Sequence, residues 1–247
     1  MKKNYKMLIQ YDGSRYHGWQ YLKDQPMTIQ GKLQEVLRRY AGDFTEVIGS
    51  GRTDAGVHAI GQVANFALDT SDTPEEIRGY LNRYLPDDIA VLSVEEADAR
   101  FHARYNAHRK TYRYRIRTSA IPDVFERKYV YTYTEHELDI RLMQKAAAAV
   151  IGEHDFYSFC GNSHVKKSTI KTIYAISIYR KEDEIIIEVT GNGFLQNMVR
   201  ILTGTLIEVG AGLRPPESMN SILDAHERSA AGFMAPPEGL ALLSVEY

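Results

Sequence analysis

The chain has 247 residues, 44% apolar and 25% charged, with 30 basic and 32 acidic residues for a net charge of −2. That length allows one large core or two modest ones, and the composition excludes a disordered chain. The single cysteine, Cys160, excludes an intrachain disulfide framework and a multi-cysteine zinc site, and no apolar run approaches the roughly 20 residues of a membrane span.

The opening Met1–Lys6 is basic, but only Met7-Leu8-Ile9 follow before polar residues return, which is too short for a signal-peptide core. A cytoplasmic protein is expected. Lys6–Tyr11 reads as a strand. Thr28–Tyr40 reads as a helix with Ile29, Leu33, Val36, Leu37 and Tyr40 on one stripe. Glu46–Gly49 and Gly61–Leu68 read as strands around a Gly-rich loop. Thr73–Leu85 is a predicted helix, opened by a Thr73/Glu76 capping box with Pro74 at its first position. Ile89–Val94 completes a β-α-β-β-α-β order.

The second half has a similar order. Lys110–Arg117 and Tyr129–Tyr133 are predicted strands, and Glu135–Ile151 a helix opened by Thr134 and Glu137. Thr169–Tyr179 and Glu184–Thr190 are predicted strands, Phe194–Val209 a helix and Leu240–Glu246 a final strand. The expected fold class is α+β: a duplicated split-βαβ architecture of two mainly antiparallel sheets, helices on one face and a cleft between the halves. The expected halves are 1–103 and 104–247.

Charge is segregated along the chain. Arg100–Arg117 holds seven Lys/Arg, four aromatics and no acid, which leaves 23 basic against 32 acidic residues elsewhere. An acidic globule with one cationic segment is therefore compatible with a nucleic-acid partner, which the net charge alone would exclude. Alternation along Thr111–Arg117 puts Tyr112, Tyr114 and Ile116 on one face of a strand and Arg113, Arg115 and Arg117 on the other. The candidate phosphate contacts are Arg104, Arg109, Lys110, Arg113 and Arg115.

Two segments stand out as candidate chemistry. Gly49–Ala59 carries Asp54 on a short loop, with Arg52 and His58 close in sequence. It lacks the Lys-Ser/Thr of a phosphate-binding loop. A carboxylate there is a candidate nucleophile toward a sugar or an electron-poor ring, or the cap of a simple Asx turn. On the predicted helix from Phe194, Arg200 is the only charge before Glu208 and lies opposite the apolar stripe. A lone guanidinium on such a face calls for a carboxylate or phosphate partner. Asp12 offers a second carboxylate for a glycosidase-like hydrolase, though turn formation accounts for it. His154, Cys160 and His164 supply only one thiolate, so no metal is expected.

These segments carry a resemblance. Tyr11-Asp12-Gly13-Ser14 with Gly18-Trp19-Gln20, Gly51-Arg52-Thr53-Asp54-Ala55-Gly56-Val57-His58-Ala59, and Phe101-His102-Ala103-Arg104 with Lys110-Thr111-Tyr112-Arg113-Tyr114 come first. Gly152-Glu153-His154-Asp155-Phe156, Gly193-Phe194-Leu195 through Arg200, and Ala235-Pro236-Pro237-Glu238-Gly239-Leu240 follow in the same order. Together they resemble the A family of tRNA pseudouridine synthases nearly end to end; Ser14 stands where Thr is more usual. The resemblance implies isomerisation of uridine to pseudouridine in the anticodon stem-loop, at tRNA positions 38, 39 and 40. It implies tRNA as partner, a homodimer, and no cofactor or metal. It makes Asp54 the catalytic nucleophile, Tyr112 the ring stacked on the uracil and a base for its proton, and Arg200 the partner of Asp54. Arg52 would fill the place of the displaced base, Leu240 would form an apolar wall, and His58 would lie on the substrate side. A non-catalytic RNA-binding module and an RNA N-glycosidase-like hydrolase are the alternatives.

Overall fold

A computed structural model describes residues 2–162 and 168–247. The chain divides into two compact units, Met1–His108 with Ala241–Tyr247, and Arg109–Leu240. The expected division at 103/104 leaves the final strand with the second half. Residues 241–247 instead belong to the first unit, because that strand pairs in parallel with one of the first unit's own.

The first unit is built on β1 (Lys3–Tyr11), β2 (Ile48–Gly49), β3 (His58–Leu68), β4 (Ile89–Ala97) and most of β10 (Leu240–Glu246), paired in the order β4-β1-β3-β10 with β2 on β3. β1 runs antiparallel to both neighbours and buries Tyr5, Met7, Ile9 and Tyr11 at every second position. β3 starts at His58, three residues before the predicted strand, and its first two residues pair in parallel with Ala241 and Leu242.

Two helices cover this unit's apolar positions. α1 (Ile29–Ala41) is capped by the Thr28 side chain accepting from the Gly31 amide at 3.2 Å, and it buries Ile29, Leu33, Val36 and Leu37. Tyr40 leaves that stripe to meet the Tyr80 ring at 4.7 Å. α2 (Pro74–Tyr84) opens with the expected reciprocal Thr73/Glu76 capping box.

The second unit pairs β5 (Arg109–Arg117), β9 (Glu184–Gly191), β8 (Ile170–Lys181) and β7 (Gly152–Asp155) in that order, all antiparallel; the two-residue β6 (Tyr131–Thr132) lies parallel to the end of β5. Its helices are α3 (Ile140–Ala148), α4 (Met198–Gly210) and α5 (Ser218–Ala225). β7 and α5 are too short to show a periodic pattern in the sequence.

Two predicted helix starts are corrected. α3 begins at Ile140, not Glu135, with the Asp139 side chain accepting from the Arg141 amide at 2.8 Å. The Asp139 amide donates to the Gly210 carbonyl at 2.9 Å, so it does not make the i→i−4 bond that a helix from Glu135 requires. α4 begins at Met198, not Phe194, because Asn197 adopts a left-handed backbone with φ 59°. From Met198 to Ile207 every residue of α4 is buried.

Candidate active site

The Asp54 loop belongs to the first unit. β2 and β3 pair antiparallel, Ile48 opposite Asn65 and Gly49 opposite Ala64, so residues 50–57 connect adjacent strands. Ser50 and Gln62, both fully buried, stitch the start of the loop to β3. The Ser50 hydroxyl donates to Gln62 Oε1 at 2.7 Å, and Gln62 Nε2 donates to the Gly51 carbonyl at 3.1 Å. Buried polar groups satisfied in this way fix a single conformation.

The Tyr11–Trp19 segment closes on the same loop. Tyr11 Oη lies 2.8 Å from Thr53 Oγ1, and the Trp19 amide donates to the Thr53 carbonyl at 3.1 Å. Burial pushes the Tyr11 phenol up to about 12, against the opposing pull of hydrogen bonds with Thr53 and Gln62, so it stays protonated through neutral pH. The Gly56 amide donates to the Tyr16 carbonyl at 3.2 Å, and the Val57 amide to the Asp54 carbonyl at 3.1 Å. The backbone oxygen of Asp54 therefore closes the turn.

Two glycines allow this approach. A Cβ on Gly13 would lie 2.0 Å from the Val57 carbonyl oxygen. One on Gly18, at φ +91°, would lie 2.6 Å from the Thr53 oxygen. Asp54 is half-buried at the centre of this frame, and Arg52 is exposed.

His58 is buried behind the loop. Its Nδ1 accepts from the Gly13 amide at 3.0 Å and lies 3.3 Å from Asp12 Oδ1. The Asp12 contact is charged only when the ring is protonated. Asp12 Oδ1 accepts from the Ser14 amide and hydroxyl at 2.9 and 2.5 Å. That is an Asx turn, the role that turn formation gives Asp12 from sequence.

The second unit holds Tyr112, Arg200 and Leu240. On β5, Tyr112, Tyr114 and Ile116 are buried on one face, as the alternation predicts. The Tyr112 ring meets Phe194 edge-on at 5.2 Å. Arg200, only 8% exposed, donates through Nε to the Ala235 carbonyl at 2.7 Å and through Nη1 to Asn197 Oδ1 at 3.3 Å. Tyr114 Oη donates to the Pro236 carbonyl at 2.8 Å, and burial raises its phenol well above the ordinary tyrosine range. Arg200 and Tyr114 thus hold consecutive residues of the segment that ends at Leu240, itself buried. Sequence reasoning missed Tyr114, Asn197 and Phe194; the shared strand face was the available signal for Tyr114.

The opposite face of β5 carries the predicted guanidinium row, but acids meet it. Arg113 reaches Glu188 Oε1 at 2.8 Å, and Arg115 binds Glu184 through two bonds of 2.8 Å and Glu126 through a third. Arg117 reaches Asp183 at 3.3 Å. The hydrogen bonds from Arg115 to Glu184 and Glu126 outweigh burial and raise its guanidinium further. Of the other candidate phosphate contacts, Arg104 and Arg109 are exposed and Lys110 half-buried, and the Arg109 guanidinium lies 5.0 Å from the Tyr174 ring centre.

Among the described residues, no three His, Cys, Asp or Glu side chains group as metal ligands. His154 Nε2 lies 3.1 Å from the Ile151 carbonyl, and Cys160 is buried. His164 lies outside the described residues. No helix among the described residues is long and apolar enough to cross a membrane.

The tRNA pseudouridine synthase family model matches residues 7–106 and 146–247. The chain belongs to that family. It is 49% identical to tRNA pseudouridine synthase A of Bacillus sp. (strain KSM-64), over 99% of each chain. It is 44% identical to tRNA pseudouridine synthase A 2 of Bacillus anthracis, again over 99% of each, and 43% identical to tRNA pseudouridine synthase A of Brevibacillus brevis, over 99% of this chain and 100% of that one. As a tRNA pseudouridine synthase, this protein is an isomerase that modifies tRNA. The matched segments contain Arg52, Asp54, His58, Arg200 and Leu240. Tyr112 and the cations from Arg109 to Arg115 fall between them.

Proposed function

We propose that this tRNA pseudouridine synthase isomerises uridine in the anticodon stem-loop, at tRNA positions 38, 39 and 40, with Asp54 as nucleophile. The observation that carries the reading is the Asp54 loop itself. A carboxylate sits at the middle of a loop held from one side by Ser50 and Gln62 and from the other by Tyr11, Tyr16 and Trp19. Catalysis benefits from a nucleophile whose position is fixed before substrate arrives.

The reaction breaks the N1–C1′ bond, turns the uracil and rejoins it through C5. It is redox-neutral and draws nothing from solution, so it calls for no cofactor. Asp54 attacks the uridine at C1′ or C6 and leaves again when the new bond forms. Arg200 is the ionic partner that keeps the carboxylate charged against desolvation. Tyr112 stacks on the uracil and takes the C5 proton. Leu240 walls the pocket. Arg52, exposed beside Asp54, occupies the gap left by the base, which must be unstacked at a cost of a few kcal/mol. His58 serves the substrate side by holding the Gly13 turn against the loop. Arg104, Arg109 and Lys110 meet phosphates; Arg113 and Arg115, already met by carboxylates, add to the local field more weakly.

The two units read as duplicated split-βαβ halves. In support, the first unit runs strand, helix, two antiparallel strands and helix, and the second runs strands β5 and β6, helix α3, the antiparallel strands β7, β8 and β9, and helix α4. The first unit carries the Asp54 loop, and the second, Arg109–Leu240, carries Tyr112, Arg200 and Leu240. The enzyme works as a homodimer in the cytoplasm, where its tRNA substrate is. A hydrolase using Asp12 as general acid is disfavoured, because Asp12 Oδ1 is engaged by Ser14.

The test is to incubate unmodified tRNA with wild type and Asp54→Ala and to map pseudouridine. The wild type should modify positions 38, 39 and 40, and Asp54→Ala should give no product while still binding tRNA. Free uracil would indicate a hydrolase. Near-normal turnover by Asp54→Ala would remove the nucleophile from this carboxylate.

A further inference from the structure

One large exposed aromatic has no part in the reaction described above. Tyr105 is 78% exposed, yet the turn that carries it is firmly held. The Asn106 amide donates to the His102 carbonyl at 3.0 Å, and the His102 amide donates to Asn106 Oδ1 at 2.7 Å, closing residues 102–106 on themselves. His102 Nδ1 accepts from the amides of Arg104 and Tyr105 at 3.2 and 3.3 Å. The imidazole lies tilted against the Tyr105 ring, with centroids 4.2 Å apart and planes 30° apart. One face of the phenol is covered by His102.

The turn is also anchored to the first unit's strands. Fully buried Ala103 donates its amide to Asn65 Oδ1 at 2.9 Å and accepts from Tyr247 Oη at 2.8 Å; Asn4 Nδ2 donates to the Phe101 carbonyl at 2.9 Å. An aromatic ring of this size normally lies down on a neighbouring apolar surface. Here the hydrogen-bonded backbone holds the ring outward. Arg100 and Arg104, both exposed, precede it in the same short segment, and among the described residues neither has an ion-pair partner. The nearby Asp98 carboxylate is turned onto the Arg100 amide at 2.8 Å.

We propose that the Tyr105–His102 pair is a stacking platform for an unpaired nucleobase of the tRNA, with Arg100 and Arg104 meeting the adjoining phosphates. A rigid aromatic face on a segment that carries two free guanidinium groups matches a splayed single-stranded nucleotide, whose base presents a π-face and whose backbone presents charge. The platform deepens the function proposed above and rests on it only for the identity of the RNA.

The test compares binding of full-length unmodified tRNA to wild type, Tyr105→Ala, Tyr105→Phe and Arg104→Gln over a salt series. Tyr105→Ala should weaken binding about tenfold, the scale of one lost base–aromatic stack, with the salt slope unchanged. Tyr105→Phe should bind within about twofold of wild type. Arg104→Gln should lower the salt slope by about one counterion. Unchanged binding by Tyr105→Ala overturns the platform, as does an equal loss in Tyr105→Phe, which would give the hydroxyl the role. A change of oligomeric state in Tyr105→Ala with normal tRNA affinity would assign the ring to a protein contact and also overturn it. Pseudouridine mapping with the wild type runs in parallel. Its failure would count against the proposed reaction, and the binding comparison would still decide the platform.

Discussion

The Asp54 loop and the cationic strand β5 both draw the eye in the sequence, and the fold treats them in opposite ways. Around Asp54, neutral buried groups do the holding: Ser50, Gln62, Thr53 and Tyr11 bond one another and the loop backbone. On β5, charge holds charge: Arg113, Arg115 and Arg117 are met by Glu188, Glu184, Glu126 and Asp183. Geometry is the product of the first region and charge cancellation that of the second. A dense run of like charge in a sequence is therefore a weaker pointer to a ligand than a short loop pinned by small and polar buried neighbours.

The comparison breaks most severely at Gly13. Gly13→Val puts carbon well inside van der Waals range of the Val57 carbonyl oxygen, so the turn or the loop must move. Stability should fall by on the order of 3 kcal/mol and pseudouridine formation should be lost, as read by chemical denaturation and product mapping. A fully active Gly13→Val would show that the loop tolerates displacement.

Arg200→Lys comes next. It keeps the charge but loses the geometry that reaches Ala235 and Asn197 together. A charged hydrogen bond of this kind contributes about 1.5–3 kcal/mol, so the melting temperature should drop and turnover should fall at least ~100-fold. Retained activity would mean that charge alone suffices.

Tyr11→Phe removes one hydroxyl and leaves Thr53 Oγ1 without it in a buried place. The expected cost is about 1–2 kcal/mol of stability. kcat should fall more than KM rises, because the loop is loosened rather than the RNA surface altered. Thr53→Ser, which keeps the hydroxyl, should stay close to wild type.

Arg113→Gln should do least. The guanidinium is partly buried and already neutralised by Glu188, so the salt slope of tRNA binding should scarcely change. A slope reduced as much as by Arg104→Gln would show that Arg113 leaves Glu188 for phosphate, and the contrast between the two regions would then narrow.

Much of the fold was legible from local pattern. The stripe of α1, the Thr73/Glu76 box of α2 and the alternation of β5 all rest on neighbours three, four or two residues apart. Where the reading failed, a distant partner intervened. The Asp139 amide is taken by Gly210, which moves the start of α3 from Glu135 to Ile140. The candidate site was legible to the same depth. Asp54 and Arg200 are conspicuous by type and setting, and the resemblance adds Tyr112. Tyr11 and Asn197, which hold the loop and Arg200, could not be singled out, because nothing in their own neighbourhoods sets them apart; Tyr114, which holds the 235–240 segment, had only its shared strand face as a signal.

By itself, then, the sequence determined the mixed α+β class and the segregation of charge behind a net of −2. These follow from composition and short-range periodicity, which survive whatever the chain does at long range. Only the tertiary structure decided that residues 241–247 return to the first unit, that Arg113, Arg115 and Arg117 of β5 are met by acids, and that Tyr11 and Gly13 frame the Asp54 loop. Each of those depends on strand register and on atoms dozens of residues apart in the chain meeting in space, where local sequence carries no signal.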